Sequence, residues 1–235
     1  MTRFVMMAVI CGALVHAGGC GSVLFQDDFD ADALNSPPND TPPGAPAGDF
    51  IYWNDPSNGS VRVVAGMDAS DHDLMYRKRP DVVTQRFVGF MSDTISPGAR
   101  AFTATWHGTA TLNEGEGPLD IWIGDAHLGS IAGVRLEGGR VLQRTGPDSY
   151  ADIGALASGQ AHFFVFTVDR DAETYSMSIS GAGMETISTP NQAVLNADIL
   201  MTSRPTIYLW FSDGGEGDST YRIDEVRIVE TDPSS

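Results

Sequence analysis

The feature that most constrains this chain is a period-two alternation of apolar and polar residues that starts near Ser60 and recurs between glycine turns as far as Val229. Val61 and Val63 alternate with Ser60, Arg62 and Val64. Phe102, Ala104 and Trp106 alternate with Thr103, Thr105 and His107, and Leu119, Ile121 and Ile123 with Asp120 and Trp122. Val134 and Leu136 continue the pattern, and Gly138-Gly139 marks a tight turn into Val141 and Gln143. Successive strand side chains point to opposite faces, so these runs bury one face and wet the other. His162 to Asp169 is apolar on both faces, as expected of a central buried strand. Tyr175, Met177 and Ile179 follow, then the turn Gly181-Ala182-Gly183, and the last two strands are expected over 206–212 and 221–229. Only 191–201 could hold a short helix. About a dozen short strands with almost no helix imply an all-β protein of two packed antiparallel sheets.

The first 20 residues follow another logic. Arg3 precedes an apolar core from Phe4 to Val15, and Ala17-Gly18-Gly19 then leads to Cys20. This is the layout of a secretory leader with its cleavage site, and the run is too short to cross ~30 Å of hydrocarbon as a helix. These residues resemble the lipobox of bacterial lipoproteins, in which the cysteine becomes the first residue of the mature chain and carries the lipid. Ala17 stands where leucine is commoner, and an ordinary signal peptide with an incidental cysteine is the alternative. The expected organisation is a signal peptide at 1–19, a lipidated tether at 20–23, one sandwich domain at 24–231 with a proline-rich loop at 36–48, and a tail at 232–235. Gly21, rather than aspartate, follows the cysteine; the resemblance then implies the outer membrane, reached through the lipid on Cys20 alone.

If the lipobox resemblance holds, Cys11 leaves with the leader and Cys20 is acylated, so no thiol pair remains for a disulfide and the core must hold the fold. A domain of this length buries most of its apolar surface. The formal net charge of −17 becomes one unit more negative when Arg3 is lost. Such a surface repels polyanions, which argues against nucleic acid and anionic headgroups; it suits neutral or cationic glycans, cations, or simple solubility.

Five stretches carry a second resemblance. They are Phe25-Gln-Asp-Asp-Phe-Asp near the start, the expected hairpin of Phe163-Phe-Val-Phe-Thr-Val-Asp169 with Tyr175-Ser-Met-Ser-Ile-Ser-Gly181, and Ile207-Tyr-Leu-Trp-Phe211 with Tyr221-Arg-Ile-Asp-Glu-Val-Arg-Ile228. In pattern and order the chain resembles the concanavalin A-like lectin/glucanase superfamily, the jelly-roll group that includes laminin G-like domains. That resemblance implies first and last strands that pair, and carbohydrate handling by binding or by cleavage. Retaining hydrolysis needs two carboxyls ~5 Å apart. Family 16 hydrolases carry Glu-x-Asp-x-x-Glu for this, but Glu216-Gly217-Asp218-Ser219-Thr220-Tyr221 lacks the last acid. The arginine-rich strand and Gln-x-His pair of a jelly-roll alginate lyase are absent too. No Gly-x-Ser-x-Gly elbow occurs, and His72, His107, His127 and His162 are scattered without metal-ligand spacing.

Acids cluster at Asp27, Asp28, Asp30 and Asp32, at Asp68, Asp71 and Asp73 around His72, and at Asp213, Glu216 and Asp218. Calcium takes six to eight hard oxygens, which loops of this kind supply. The resemblance implies a structural calcium between the first and last strands, using Asp28 or Asp30 with Asp224; solvated turn acids are the alternative. Aromatic platforms are the remaining candidates. Tyr208 and Trp210 share one face of their strand and Trp122 shares a face with Asp120, so a sugar-stacking surface would join them, with Gln143, Arg135 and His107 as hydrogen-bonding groups; burial in the core is the competing reading. The function expected is an exported, lipid-anchored module that binds glycans or another surface ligand, requires no cofactor and has no recognisable catalytic centre. A polysaccharide-cleaving enzyme and a structural envelope protein are the alternatives.

Overall fold

Strands built on the alternating runs pack as two antiparallel sheets. The structure, a computed structural model, describes residues 21–38, 49–52, 61–66, 71–78, 86–112, 117–125, 129–200, 204–211 and 219–231. The leader with Cys11 and Cys20, most of the proline-rich segment, Trp53, Asp68, His127, Asp213, Glu216 and Asp218 lie outside the described residues.

Sheet I contains β1 (Val23–Asp27), β3 (Val61–Ala65), β4 (His72–Arg77), β6 (Ala101–Thr111), β11 (Ala161–Asp169), β12 (Thr174–Gly181), β13 (Ile187–Ala193) and β15 (Thr220–Thr231). Its order is β13-β12-β11-β6-β15-β4-β3, with β1 also on β15. Sheet II contains β2 (Asp49–Tyr52), β5 (Arg86–Met91), β7 (Leu119–Asp125), β8 (Ser130–Glu137), β9 (Arg140–Gly146), β10 (Ser149–Ala155) and β14 (Pro205–Phe211), in the order β10-β9-β8-β7-β14-β5-β2. The expected all-β, two-sheet sandwich is therefore the fold, and its first and last strands do pair, Gln26 opposite Arg227. No helix among the described residues is long and apolar enough to cross a membrane.

The inward faces meet around Trp106. Its ring stacks on Phe164 at 5.0 Å and 3°, with Phe166 at 5.7 Å on the same face of the neighbouring strand. Its Nε1–H donates to the Tyr221 hydroxyl at 2.9 Å, so the one polar atom of a fully buried indole is satisfied. Gly108 makes room for this pair, because a Cβ there would collide with the Tyr221 hydroxyl.

Two local expectations change. β11 is not buried on both faces: Phe164, Phe166 and Val168 point inward while Phe163, Val165 and Thr167 remain half-exposed on the open face of sheet I. The 191–201 stretch completes β13 and then forms only a 3₁₀ turn, Ala197–Ile199, capped by the Asn196 side chain.

One edge of β15 is shared. Thr220–Ile223 pair with β4, and Val226–Val229 pair with β1. Between the two stretches lie Asp224 and Glu225, where β15 bulges against β6 and Glu225 takes a left-handed φ of 48°. The end of β1, the start of β4 and this bulge therefore converge, each bringing acids.

Candidate functional site

The face of sheet II turned away from sheet I is assembled by register. On β14, Ile207, Leu209 and Phe211 point into the core, which leaves Tyr208 and Trp210 on the other face. Tyr208 lies opposite Gly89 on one side and Trp122 on the other, and Trp122 lies opposite Gly133. One strand spacing further, Tyr150 pairs with Arg144. One row thus crosses the sheet from Gly89 through Tyr208, Trp122, Gly133 and Arg144 to Tyr150. In the next row Trp210 lies opposite Asp120, and Asp120 opposite Arg135.

Side-chain contacts tie the rows together. Trp122 and Trp210 meet at 5.2 Å between ring centroids, and both are half-exposed. Tyr208 is 1% exposed, so of the three aromatics expected on this face it alone is buried. The Arg144 guanidinium sits over the Trp122 ring at 5.0 Å, and the Arg135 guanidinium over the Tyr150 ring at 4.2 Å. Gly133 is the gap that allows the first of these contacts, since a Cβ there would come within 2.8 Å of Trp122 Cδ1. The buried Nε1–H of Trp122 donates to no acceptor among the described residues, and such orphan donors are uncommon in folded proteins.

Asp120 and Arg135 form a two-pronged pair, Nε to Oδ1 at 2.8 Å and Nη2 to Oδ2 at 2.9 Å. The carboxylate holds the Arg135 guanidinium above its ordinary pKa, and burial raises that of the Tyr150 hydroxyl. Asp152, also on β10, is bound to Arg140. Among the described residues, each of these two acids already has an arginine on it.

Two residues expected beside the aromatics lie elsewhere. Gln143 pairs with Val134 and so follows Val141 into the core, where its amide donates to the Tyr175 hydroxyl at 2.8 Å. The surface role expected for it is corrected: parity places it on the inner face. His107 belongs to β6 of the other sheet, where it bonds Glu225 at 2.9 Å and packs on Phe163 at 4.9 Å. It therefore cannot join the sheet II face. His162, with its Nδ1 unpartnered, is buried on the inner face, and desolvation lowers its pKa.

The junction on β15 is the second site. Asp71, Asp73 and Asp224 bring one carboxylate oxygen each within 4.8 Å of one another. Burial raises the pKa of Asp224 to about 7, and Asp71, Asp73 and Glu225 add repulsion. Burial also raises that of Asp73, against the pull of Arg222, whose Nε lies 3.0 Å from it. The expected partners of Asp224 are replaced. Asp30 instead accepts the His72 backbone N–H at 2.9 Å, and Asp28 accepts Asp30 N–H within its own turn. Asp71 and Asp73, at the start of β4, are not legible as partners of Asp224 because His72–Arg77 has a weak strand pattern and its pairing with β15 is not local in sequence.

These features define a two-sheet jelly-roll β-sandwich whose second sheet carries an aromatic and arginine-bearing outer face. The fold is shared with the catalytic domain of a glycoside hydrolase family 131 protein from Coprinopsis cinerea, at a TM-score of 0.62 and 11% identity, covering 92% of this chain and 97% of that one. A sialidase matches at 0.60 and 12% identity over 90% of this chain, which spans 19% of the sialidase's length. Lectin II from Ulex europaeus matches at 0.50 and 9% identity, covering 88% and 99% of the two chains. The sequence matches no protein-family model and no curated protein sequence.

Proposed function

We infer that this chain is an exported, lipid-anchored β-sandwich module that binds glycans across the outer face of sheet II. The observation that carries the reading is the partly exposed Trp122–Trp210 pair on the outer face of sheet II. Sugar rings stack their apolar faces on such indoles while neighbouring polar groups take the hydroxyls. The lectin and hydrolase likenesses fit a carbohydrate ligand. Binding is preferred to cleavage because Asp120 and Asp152 are each engaged by an arginine, whereas glycoside hydrolysis needs two carboxyls free to act on one bond.

The test is a glycan-array assay with and without calcium, repeated on Trp122→Ala and Trp210→Ala. Each substitution is expected to weaken binding about tenfold or more, the scale of one lost aromatic stack. Binding unchanged in both variants would remove this face from the reading. No binding to any glycan would move the chain to a structural or protein-binding role.

The anchor rests on the leader and Cys20, and Gly21 favours the outer membrane. Cys20→Ser should leave the protein exported and soluble, released from the membrane fraction of expressing cells; a variant that still sediments with membranes would refute lipidation. A calcium ion held by Asp71, Asp73 and Asp224 belongs to the same proposal, as a stabiliser of the junction between the terminal strands.

A further inference from the structure

The arginine at the end of the aromatic row indicates what kind of sugar the face takes. Among the described residues, Arg135, Arg140 and Arg144 lie on or beside the outer face of sheet II. Arg135 is neutralised by Asp120 and Arg140 by Asp152. Arg144 has no carboxylate on it among the described residues, although the chain as a whole has a net charge of −17. Two backbone carbonyls fix it instead, Nε donating to Gly146 O at 3.1 Å and Nη2 to Pro147 O at 2.8 Å. An arginine has five N–H donors, so the Nη1 pair and one Nη2 hydrogen stay available. The planar group is already oriented over Trp122, which reduces the ordering cost of binding.

A neutral saccharide has no need of an uncompensated, pre-oriented guanidinium. A carboxylate does, because it accepts two parallel N–H bonds from one arginine fork, and these are roughly twice as strong as neutral hydrogen bonds. We propose that Arg144 selects an acidic sugar, its carboxylate on the guanidinium and the rest of the sugar chain lying along the Trp122–Trp210 pair. This rests on the glycan-binding reading of the same face. It also narrows what the acidity of the chain implies. Diffuse surface charge is screened beyond ~10 Å at 0.1 M salt, whereas the Arg144 contact acts at hydrogen-bond range. The site therefore suits glycans with an isolated acidic residue better than a uniformly charged polymer.

The experiment measures binding of uronic-acid-containing oligosaccharides alongside their methyl esters, which keep the sugar and remove the charge. Wild type is expected to favour the acid by about tenfold, one good charge-assisted contact. Arg144→Gln should erase that preference by lowering affinity for the acid at least tenfold more than for the ester, and Arg144→Lys should keep part of it. The thermal midpoint of each variant, unchanged from wild type, verifies that the fold is intact. Equal binding of acid and ester by wild type, or a preference that survives in Arg144→Gln, overturns the proposal while the glycan reading stands. Binding of neither form, nor of any neutral oligosaccharide, overturns both.

Discussion

Trp106→Ala is expected to lower the thermal midpoint by about 10 °C, a loss of roughly 4 kcal/mol at the usual scale for a buried aromatic. Three costs combine. The indole is fully buried, so its apolar surface is lost from the core. The stacked contact with Phe164 disappears, and neither of the inward phenylalanines of β11, Phe164 and Phe166, can cross to fill the space, because β6 and β11 are held in continuous register from Ala161–Thr109 to Asp169–Ala101. The Tyr221 hydroxyl, which burial already keeps firmly protonated, loses the Trp106 N–H that donates to it and remains inside the core. Tyr221→Phe isolates that last effect by leaving the Trp106 N–H without an acceptor, and should cost about 1–3 kcal/mol. Calorimetry of the two variants reads both numbers. A Trp106→Ala protein melting within about 2 °C of wild type would mean that the two sheets do not depend on this stack, against the usual cost of a core cavity.

What the sequence disclosed follows from how local each signal is. The alternation at Phe102–Trp106 and Leu119–Ile123 reports which residues share a face, and parity alone placed Trp106 inside and kept Trp122 with Asp120 and Tyr208 with Trp210. Parity does not say which sheet a strand joins. His107 was grouped with the aromatics because the sheet membership of β6 is fixed by its pairing with β11 and β15, residues more than fifty positions away. Gln143 misled for another reason: a polar side chain in an apolar series reads as outward unless its buried partner is known, and Tyr175 comes from the opposite sheet. The exposure of Trp122 and Trp210 against the burial of Tyr208 was equally out of reach, since all three share one face. The acidic junction needed two non-local facts together, that β4 and β1 divide one edge of β15 and that β15 bulges at the division.

That junction should make the protein less stable as pH rises, and a divalent cation should reverse the loss. Asp27, buried at the end of β1 with its carboxylate accepting the Phe29 N–H at 2.9 Å, is pushed to about 7, principally by desolvation. Asp224 is pushed to about 7 by the same cause and by its acidic neighbours. For a carboxyl whose pKa is higher folded than unfolded, both states hold the proton below about pH 4 and the group contributes nothing to pH dependence there. Between that pH and about 7 only the folded state keeps its proton, so the unfolded state gains progressively; above 7 both are ionised and the penalty is complete. Asp224 is only half-buried and its share is reduced by solvent screening. In chelator, the pH-dependent part of the midpoint owed to these two groups should fall by roughly 5 °C between pH 4 and pH 8. Asp27→Asn and Asp224→Asn, which preserve shape and their backbone hydrogen bonds, should each flatten the curve relative to wild type. Calcium should raise the wild-type midpoint at pH 8, more than at pH 5, because it binds only the folded arrangement of Asp71, Asp73 and Asp224 and requires them ionised. In Asp224→Asn that gain should be lost while the response of Asp27→Asn is kept. A wild-type midpoint indifferent to millimolar calcium at pH 8 would eliminate the cation, and parallel pH curves for wild type and both variants would eliminate the raised carboxyls as the cause.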